Sequence, residues 1–407
     1  MSLTRRHVLV AATGAVAGAL AACGAPSSPA KSTSGGASPA ALPDRPGKPV
    51  TLNILDVAGN LQLTQGMIDA FVAANHQVVS RVTYSKAPAP DLVGKIKAQQ
   101  GAGRVDIGLV LTGTDGLAAG IEQGLWQQIL PAQASRLSNM SGYLEPAAKM
   151  QALAGDYGVV VTYYPSGPLL EYMPAKVPTP PTSPAELLAY AKANPGKVEY
   201  ARPANSGPGR TLLMGLPYIL GDSDPKDPAN GWSKTWAYLT ELGKYVDRYP
   251  SGTTQTMKDL GNGTVNIIAS TTGWDINARA LGTVPAQAAI TTMKGFHWVT
   301  DAHYAVIPKG ATPDQQSAVL LLIQDMLTKE QQAKAFDTGY FYPGPAISGV
   351  DVSMAPQKSR DVLKTYGRPE YDALIAGNPT EVPLAAKALV AAFETWDRTI
   401  GGSKVAK

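Results

Sequence analysis

Cysteine is almost absent from this chain. Cys23 is the only one in 407 residues, so a disulfide within the chain is excluded and the fold must rest on its hydrophobic core. Charged residues make up only 16% of the sequence, and no basic run stands out, so nucleic-acid binding has no electrostatic support. No long apolar run occurs beyond residue 22, which leaves no further candidate for a membrane-crossing helix in the sequence.

The motifs of common enzyme classes are also missing. No G-x-S-x-G occurs, and the turn at 207–209 lacks the Gly-Lys-Ser/Thr of a phosphate-binding loop. The chain has four histidines, and His7 lies in the apparent leader. We therefore expect no enzyme and no cofactor. A secreted, lipid-anchored hydrolase that uses two aspartates is the alternative left open.

The first 22 residues have the features of an export signal. Arg5 and Arg6 precede an apolar stretch at 8–22, which at about 15 residues is shorter than a membrane span. Cys23 follows Leu-Ala-Ala, where a lipoprotein signal peptidase would cut. We expect a signal peptide at 1–22 and lipid on Cys23. The lipid would anchor the chain to the outer face of the cell membrane, on the periplasmic side in a Gram-negative cell.

The segment after Cys23 predicts a tether. Residues 23–49 are rich in Ser, Gly, Ala and Pro and have little to bury, so we expect a flexible linker there. The run at 4–9 resembles a twin-arginine export signal with Val8 in place of the usual Phe, and ordinary secretion remains open as well. Removal of the two leader arginines takes Lys plus Arg from 35 to 33 against 31 acids, so the mature chain carries a net charge near +2.

The body of about 360 residues is too long for one comfortable core and predicts two domains. Its hydrophobic patterns alternate between strand and helix, which indicates an α/β fold with mostly parallel strands. The expected strands are 50–55, 78–84, 105–111, 156–164, 198–201, 265–270 and 303–308. The expected helices are 63–74, 91–100, 116–123, 184–193, 232–246, 313–327 and 385–396.

Several stretches, taken in order, resemble a known family. They are the strand VDIGLV at 105–110, the segment 257–267, the turn Gly-Trp-Asp at 273–275, and FHWVTD at 296–301 followed by AVIP at 305–308. In sequence and spacing the chain is similar to the extracellular solute-binding proteins of bacterial ABC importers. The nearest group contains the spermidine/putrescine receptors. The resemblance covers roughly residues 50–346.

This resemblance implies a type II periplasmic-binding-protein fold: two lobes with mostly parallel sheets joined by two hinge crossings. One lobe would take 50–159 and 301–346, and the other 160–300 and 347–400. A small solute (a polyol, sugar, polyamine or other organic molecule) would bind in the cleft and be passed to a membrane permease served by a separate ATPase subunit. A monomer is expected.

The resemblance also implies ligand contacts. Trp274 follows a strand and a glycine, so its ring either faces the cleft or lies in the core. Asp275 either contacts ligand or caps a helix. Trp298 and Asp301 match positions that stack on and pair with an amine in polyamine receptors.

The segment 205–210 follows a strand and reads as a polar, flexible loop that contains Asn205 and Arg210. Polyamine receptors carry acids in the matching loop, whereas no acid occurs here between Glu199 and Asp222. Arg210 would better suit a neutral polyol, a sugar, or an anionic or zwitterionic solute. It would otherwise form a surface or inter-lobe salt bridge.

Paired tyrosines end the strand at the first predicted crossing. Alternation sends one of Tyr163 and Tyr164 to the cleft and the other to the core, and we favour Tyr163 for the cleft. His297, Asp301 and His303 do not share one face of a strand or helix, so no metal site is expected.

Overall fold

The structure is a computed structural model that describes residues 42–57 and 59–405. The predicted signal peptide and the lipidation site at Cys23 lie outside these residues. The strands are β1 Val50–Val57, β2 Val79–Ala87, β3 Leu109–Thr112, β4 Gly158–Gly167, β5 Leu169–Tyr172, β6 Val198–Glu199, β7 Ile267–Ser270, β8 Ala289–Thr291, β9 Trp298–Val306 and β10 Thr380–Glu381.

The helices alternate with these strands over most of the chain. They are α1 Leu61–Ala74, α2 Ala89–Gly101, α3 Thr114–Glu122, α4 Glu145–Leu153, α5 Pro184–Ala193, α6 Gly207–Leu220, α7 Ser233–Gly243, α8 Thr253–Gly261, α9 Thr272–Ala280, α10 Pro313–Met326, α11 Lys329–Gln332, α12 Gln357–Tyr366, α13 Glu370–Gly377 and α14 Ala386–Trp396. Within the described ranges, none of them combines the length and the apolar character that a membrane crossing requires.

The first sheet has the order β10-β9-β3-β1-β2, with β4 also paired to β9. The pairs β1·β2, β1·β3 and β9·β10 are parallel, while β3·β9 and β4·β9 are antiparallel. Leu52 and Ile54 of β1 belong to one hydrophobic cluster, and Leu55 and Val57 belong to another. The alternation of a strand thus feeds two cores, one on each face of this sheet.

The second sheet has the order β6-β7-β5-β8. Its β6·β7 pair is parallel, and β5 runs antiparallel to both β7 and β8. Helices α5, α6, α7 and α14 supply residues to the hydrophobic cluster that covers it. Two sheets flanked by helices confirm the predicted α/β fold.

Long strands connect the two sheets. The strand β4 passes through Pro168 directly into β5 of the second sheet, and the chain returns to the first sheet between β8 and β9. The strands β4 and β9 pair along most of their length, from Gly158 opposite Val306 to Gly167 opposite Val299. A paired two-strand connection of this kind can flex as a hinge.

The expected tether at 23–49 is wrong for its last residues. Leu42 packs against the core of the first sheet. The carbonyl of Pro43 accepts a hydrogen bond from the Ser317 hydroxyl at 2.5 Å, and the backbone N–H of Gly47 donates to Asp314 at 3.1 Å. The chain therefore packs on the folded body from residue 42, although residues 42–49 have the composition of a linker.

The expectation of a flexible loop at 205–210 is wrong as well. A helix begins at Gly207, because the Ser206 hydroxyl accepts the N–H of Gly209 at 3.1 Å and Pro208 favours the first turn. Arg210 therefore sits on a rigid helix, with 3% of its surface exposed. The helix at 184–193 is confirmed with the predicted bounds, and Ser183 caps it by accepting the N–H of Glu186 at 3.2 Å.

Candidate functional site

A cavity of about 290 Å³ lies between elements of the two sheets. The first sheet contributes residues that follow β1, β2 and β3, and the second contributes residues that follow β6 and β7. The carboxyl ends of parallel strands are the usual place for a ligand in an α/β fold. The described residues that line the cavity are Gly59, Pro88, Asp115, Asn205, Ser206, Gly207, Arg210, Gly252, Thr253, Thr254, Trp274, Asp301, His303, Tyr340 and Phe341.

A buried ion cluster joins the two sides of the cavity. The guanidinium of Arg210, on α6, pairs through Nη1 with Asp115 Oδ2 at 3.1 Å and through Nη2 with Asp301 Oδ2. Asp115 lies in the first turn of α3 beside the first sheet, and Asp301 lies on β9. Each of the three side chains is less than a tenth exposed. A salt bridge, which was one of the two roles expected for Arg210, is therefore present.

Asp301 is the most heavily bonded member of this cluster. Its Oδ1 accepts hydrogen bonds from the Thr114 hydroxyl at 2.8 Å and the Ala302 N–H at 3.0 Å. Its Oδ2 accepts from Tyr164 at 3.1 Å as well as from Arg210. A carboxylate offers about four acceptor positions, so those of Asp301 are all occupied within the protein.

Burial and charge shift the titration of these groups in opposite directions. Burial raises the pKa of Asp115, and the positive charge of Arg210 offsets part of that rise. Burial alone would lower the pKa of Arg210, but the charges of Asp301 and Asp115 reverse this effect and raise it. Burial lowers the pKa of His303 to about 3, so its imidazole is neutral at physiological pH.

Two residues that line the cavity each have a buried nitrogen atom without a hydrogen-bond partner among the described residues. These atoms are Nε of Arg210 and Nδ1 of His303, and both side chains are almost fully buried. A buried polar atom without a partner costs free energy, which a bound molecule could recover.

Aromatic rings form one wall of the cavity. Trp274 meets Tyr340 edge-on, with ring centroids 5.1 Å apart. Tyr340 stacks on Phe341 at 4.9 Å, and Phe341 stacks on Tyr164 at 4.0 Å. His303 lies against Phe341 at 4.2 Å. This wall offers apolar ring faces beside the polar cluster.

The remaining lining is polar and uncharged. Hydroxyl oxygens of Ser206 and Thr253 lie 2.7 Å apart, within hydrogen-bonding distance. Asn205 donates to the carbonyl of Ser251 at 2.8 Å and accepts the N–H of Ala89, at the start of α2, at 3.3 Å. The Asn205 side chain therefore contacts an element of the first sheet from the side of the second.

Four of the predicted ligand residues, Trp274, Asp301, Asn205 and Arg210, line the cavity. Asp275 does not, because its buried carboxylate faces away toward the C-terminal helices. It accepts hydrogen bonds from Arg368 at 2.6 and 2.9 Å and from Tyr371 at 2.8 Å. Its observed role is to hold α9 against the segment that carries α13.

Trp298 and Tyr163 also lie away from the cavity. Trp298 is fully buried, packs edge-on against Phe296 and donates its indole N–H to the carbonyl of Leu374 at 3.0 Å. Tyr163 packs in a core of the first sheet, whereas Tyr164 points toward Asp301. The alternation along β4 thus has the opposite phase to the one we favoured.

Asp115 and Phe341 were not among the predicted contacts. Asp115 lies three residues after the end of β3, and that position was the available signal. Phe341 lies in an irregular segment far along the chain, and only the folded chain brings it to the cavity. His303 entered the sequence analysis as a metal candidate, but in the structure it is a neutral cavity residue.

Two α/β sheets joined by paired strands, with a polar and aromatic cavity between their elements, define a binding protein of the periplasmic type. The chain belongs to the bacterial extracellular solute-binding protein family, whose model matches residues 66–362. Members of this family bind solutes rather than transform them, so the chain is not an enzyme and the hydrolase alternative has no support. No curated protein sequence matches the chain significantly.

Solved structures share this fold at low sequence identity. Apo ferric ion-binding protein A of Pasteurella haemolytica is 16% identical with a TM-score of 0.58, covering 86% of this chain and 97% of that one. The periplasmic binding protein AfuA of Actinobacillus pleuropneumoniae, with fructose-6-phosphate bound, is 14% identical with a TM-score of 0.60, covering 86% and 98%.

The spermidine/putrescine ABC transporter substrate-binding protein PotD of Streptococcus pneumoniae is 13% identical, with a TM-score of 0.55. That match covers 85% of this chain and 99% of the other. The names of these three proteins and their bound ligands refer to a ferric ion, fructose-6-phosphate and polyamines. The shared fold therefore leaves the solute of this chain to be inferred from its own cavity.

Proposed function

We propose that this chain is the substrate-binding lipoprotein of an ABC importer. It captures a small solute in the cavity lined by Asp115, Arg210, Trp274 and Asp301, and it delivers that solute to a membrane permease driven by a separate ATPase subunit. The observation that carries this proposal is the cavity itself, since its polar and aromatic lining comes from both sheets and includes two residues whose buried nitrogen atoms have no partner in the described part of the chain.

The cavity position supports a closure mechanism. We assign 50–159 and 301–346 to one lobe and 160–300 and 347–400 to the other, with β4 and β9 as the crossings. A solute in contact with Trp274 from one lobe and Asp115 from the other would bind the closed form better than the open form. That difference in affinity is what shifts the equilibrium toward closure.

The leader supports attachment to the membrane. Cleavage before Cys23 and lipidation of its thiol would hold the protein at the outer face of the membrane, beside the permease. Export would use either the twin-arginine or the general secretory route, as the run at 4–9 permits both.

The proposal is tested by thermal unfolding of the purified protein with panels of polyamines, sugars, polyols, amino acids, sugar phosphates and Fe(III). A ligand present at 100 times its dissociation constant stabilises the folded chain by about 2.7 kcal/mol, which appears as a clear rise in Tm. We expect one class to give this rise in a saturable way. A flat response across all classes would contradict the assignment of this cavity as a solute site.

A further inference from the structure

The charged side chains of the cavity are already paired with one another, because one guanidinium lies between two carboxylates. Asp115, Arg210 and Asp301 are the charged side chains among its described lining residues, and all three belong to one hydrogen-bonded cluster. The guanidinium contacts Asp115 through Nη1 and Asp301 through Nη2. Arg210 thus occupies, from within the chain, the place that a bound amine would take between two carboxylates.

A solute of either charge would meet a like charge in this cluster. An amine drawn to Asp115 would sit beside the guanidinium of Arg210. Two neighbouring positive charges repel strongly in a buried site. An anion drawn to Arg210 would have the carboxylates of Asp115 and Asp301 on either side of it, and both would repel it. The acceptor positions of Asp301 are filled, so this residue has nothing left for a cation.

The groups left without partners suit a neutral molecule. Nε of Arg210 can only donate a hydrogen bond, and neutral His303 can donate or accept at Nδ1. A hydroxyl group does both, so adjacent hydroxyls of one solute could satisfy the two nitrogens. The half-buried ring of Trp274, which lines the cavity, offers an apolar surface for the C–H groups of such a molecule.

From this arrangement we infer that the cavity takes an uncharged, hydroxyl-rich solute of sugar or polyol class. Arg210, held by Asp115 and Asp301, is the specificity residue that excludes amines. This inference rests on the proposed function and narrows it. A cavity of about 290 Å³ lies at the lower end of the usual range for small-molecule sites, roughly 300–1,000 Å³, so one small solute is expected.

The test compares the wild type with Arg210→Met in calorimetric titrations against a sugar and polyol panel, putrescine, spermidine and fructose-6-phosphate. We expect the wild type to bind a member of the uncharged panel and to show no heat with the amines. In Arg210→Met the two carboxylates lose their internal cation. Putrescine should then bind at least about tenfold more tightly than to the wild type, while affinity for the uncharged solute falls.

Two further variants separate charge from general damage. Arg210→Lys keeps a cation in the cluster and should gain no amine binding. Arg368→Met breaks another buried pair, with Asp275, outside the cavity, so it should lose stability without gaining amine binding. If Arg210→Met does not fold, the wild-type panel and Arg210→Lys still decide the question.

The outcomes separate this inference from the proposed function. Wild-type binding of putrescine, spermidine or fructose-6-phosphate in place of uncharged solutes would overturn the inference and leave a solute receptor standing. A folded Arg210→Met variant without amine affinity would also overturn the role given to Arg210. Absence of binding by every class would contradict the proposed function, and the inference would fall with it.

Discussion

At the scale of single residues, Trp274 is the aromatic side chain whose role in the cavity can be tested most directly. It is half-buried, follows β7 and meets Tyr340 edge-on at the cavity wall. Trp274→Ala removes this ring surface, so we expect the dissociation constant of the bound solute to rise by about tenfold or more, because tryptophan is enriched among the contact residues whose truncation costs about 2 kcal/mol or more. Calorimetric titration measures the change.

Trp236→Ala is the matched control for this variant. Trp236 is also half-buried, but it packs on Trp232 at 5.4 Å and lies outside the cavity lining. Its replacement should lower Tm and leave the dissociation constant unchanged. Equal affinity loss in both variants would mean that Trp274 acts through stability alone.

Glu199 makes a prediction about pH. This side chain is 3% exposed, its Oε1 has no partner among the described residues, and its Oε2 lies 3.6 Å from Arg248. Burial, followed by the negative charge of Asp259, raises the pKa of Glu199 to about 8. In an unfolded chain the pKa of a glutamate is about 4.3.

The sign of the effect follows from these two values. Between about pH 4.3 and 8 the folded chain keeps a proton on Glu199 that the unfolded chain has released, so Glu199 makes the free energy of unfolding fall as pH rises through this window. Glu199→Gln cannot titrate. We expect its free energy of unfolding, relative to wild type, to increase steadily from pH 5 to pH 8 in denaturant titrations; a difference independent of pH would contradict the raised pKa.

At the scale of elements, the start of α9 depends on a close approach of two backbones. A Cβ atom added at Gly273 would lie 1.9 Å from the carbonyl oxygen of Tyr340. The Thr272 hydroxyl also donates to the carbonyl of Tyr342 at 2.8 Å. The glycine therefore lets α9 sit against the segment that carries the aromatic rings of Tyr340 and Phe341.

Gly273→Ala should push that segment away from α9. Overpacking of this kind costs about 1–3 kcal/mol, and displaced rings should weaken solute binding together with stability. Gly94→Ala, in the exposed face of α2, is the control, because no atom lies within 4 Å of its added Cβ and alanine favours the helix by up to about 1 kcal/mol. Chemical denaturation and solute titration of both variants distinguish them, and a neutral Gly273→Ala would refute the contact.

At the scale of the whole molecule, the proposed lipid on Cys23 makes a prediction about where the protein resides. Cys23→Ser removes the thiol that would carry lipid and leaves the body unchanged. We expect the variant to move from the membrane fraction to the soluble extracytoplasmic fraction, with loss of incorporated radioactive palmitate. Retention of the wild-type distribution and label by the variant would contradict lipidation at this position.

The α/β class was accessible from sequence because it rests on local patterns, whereas the two lobes were implied by the family resemblance. Alternating apolar periodicity marked strands such as β1 and helices such as α10, and the serine cap of α5 placed its start at Pro184. The helix α6 was missed because glycines and a proline at 207–209 mimic a loop. They are tolerated there since they fall in the first turn behind the Ser206 cap.

Only part of the candidate site could be predicted from the sequence, because local patterns do not show which distant residues meet. Sequence order marked Trp274, Asn205 and Arg210 because each follows a strand of the second sheet, where an α/β fold presents its ligand contacts. It could not show that Arg210 forms salt bridges with Asp115, 95 positions before it, and with Asp301, 91 positions after it. It also could not set the phase of Tyr163 and Tyr164, because both faces of β4 are buried.

The sequence by itself determined the family, the α/β class and the absence of acids in the segment before Arg210, and it predicted an export leader with a single cysteine, since these depend on residue order and local periodicity. Only the tertiary structure decided which side chains share the cavity and which charges pair there. Pairing of distant charges and the close approach of Gly273 to Tyr340 arise from packing between elements far apart in the chain, and no local pattern encodes them.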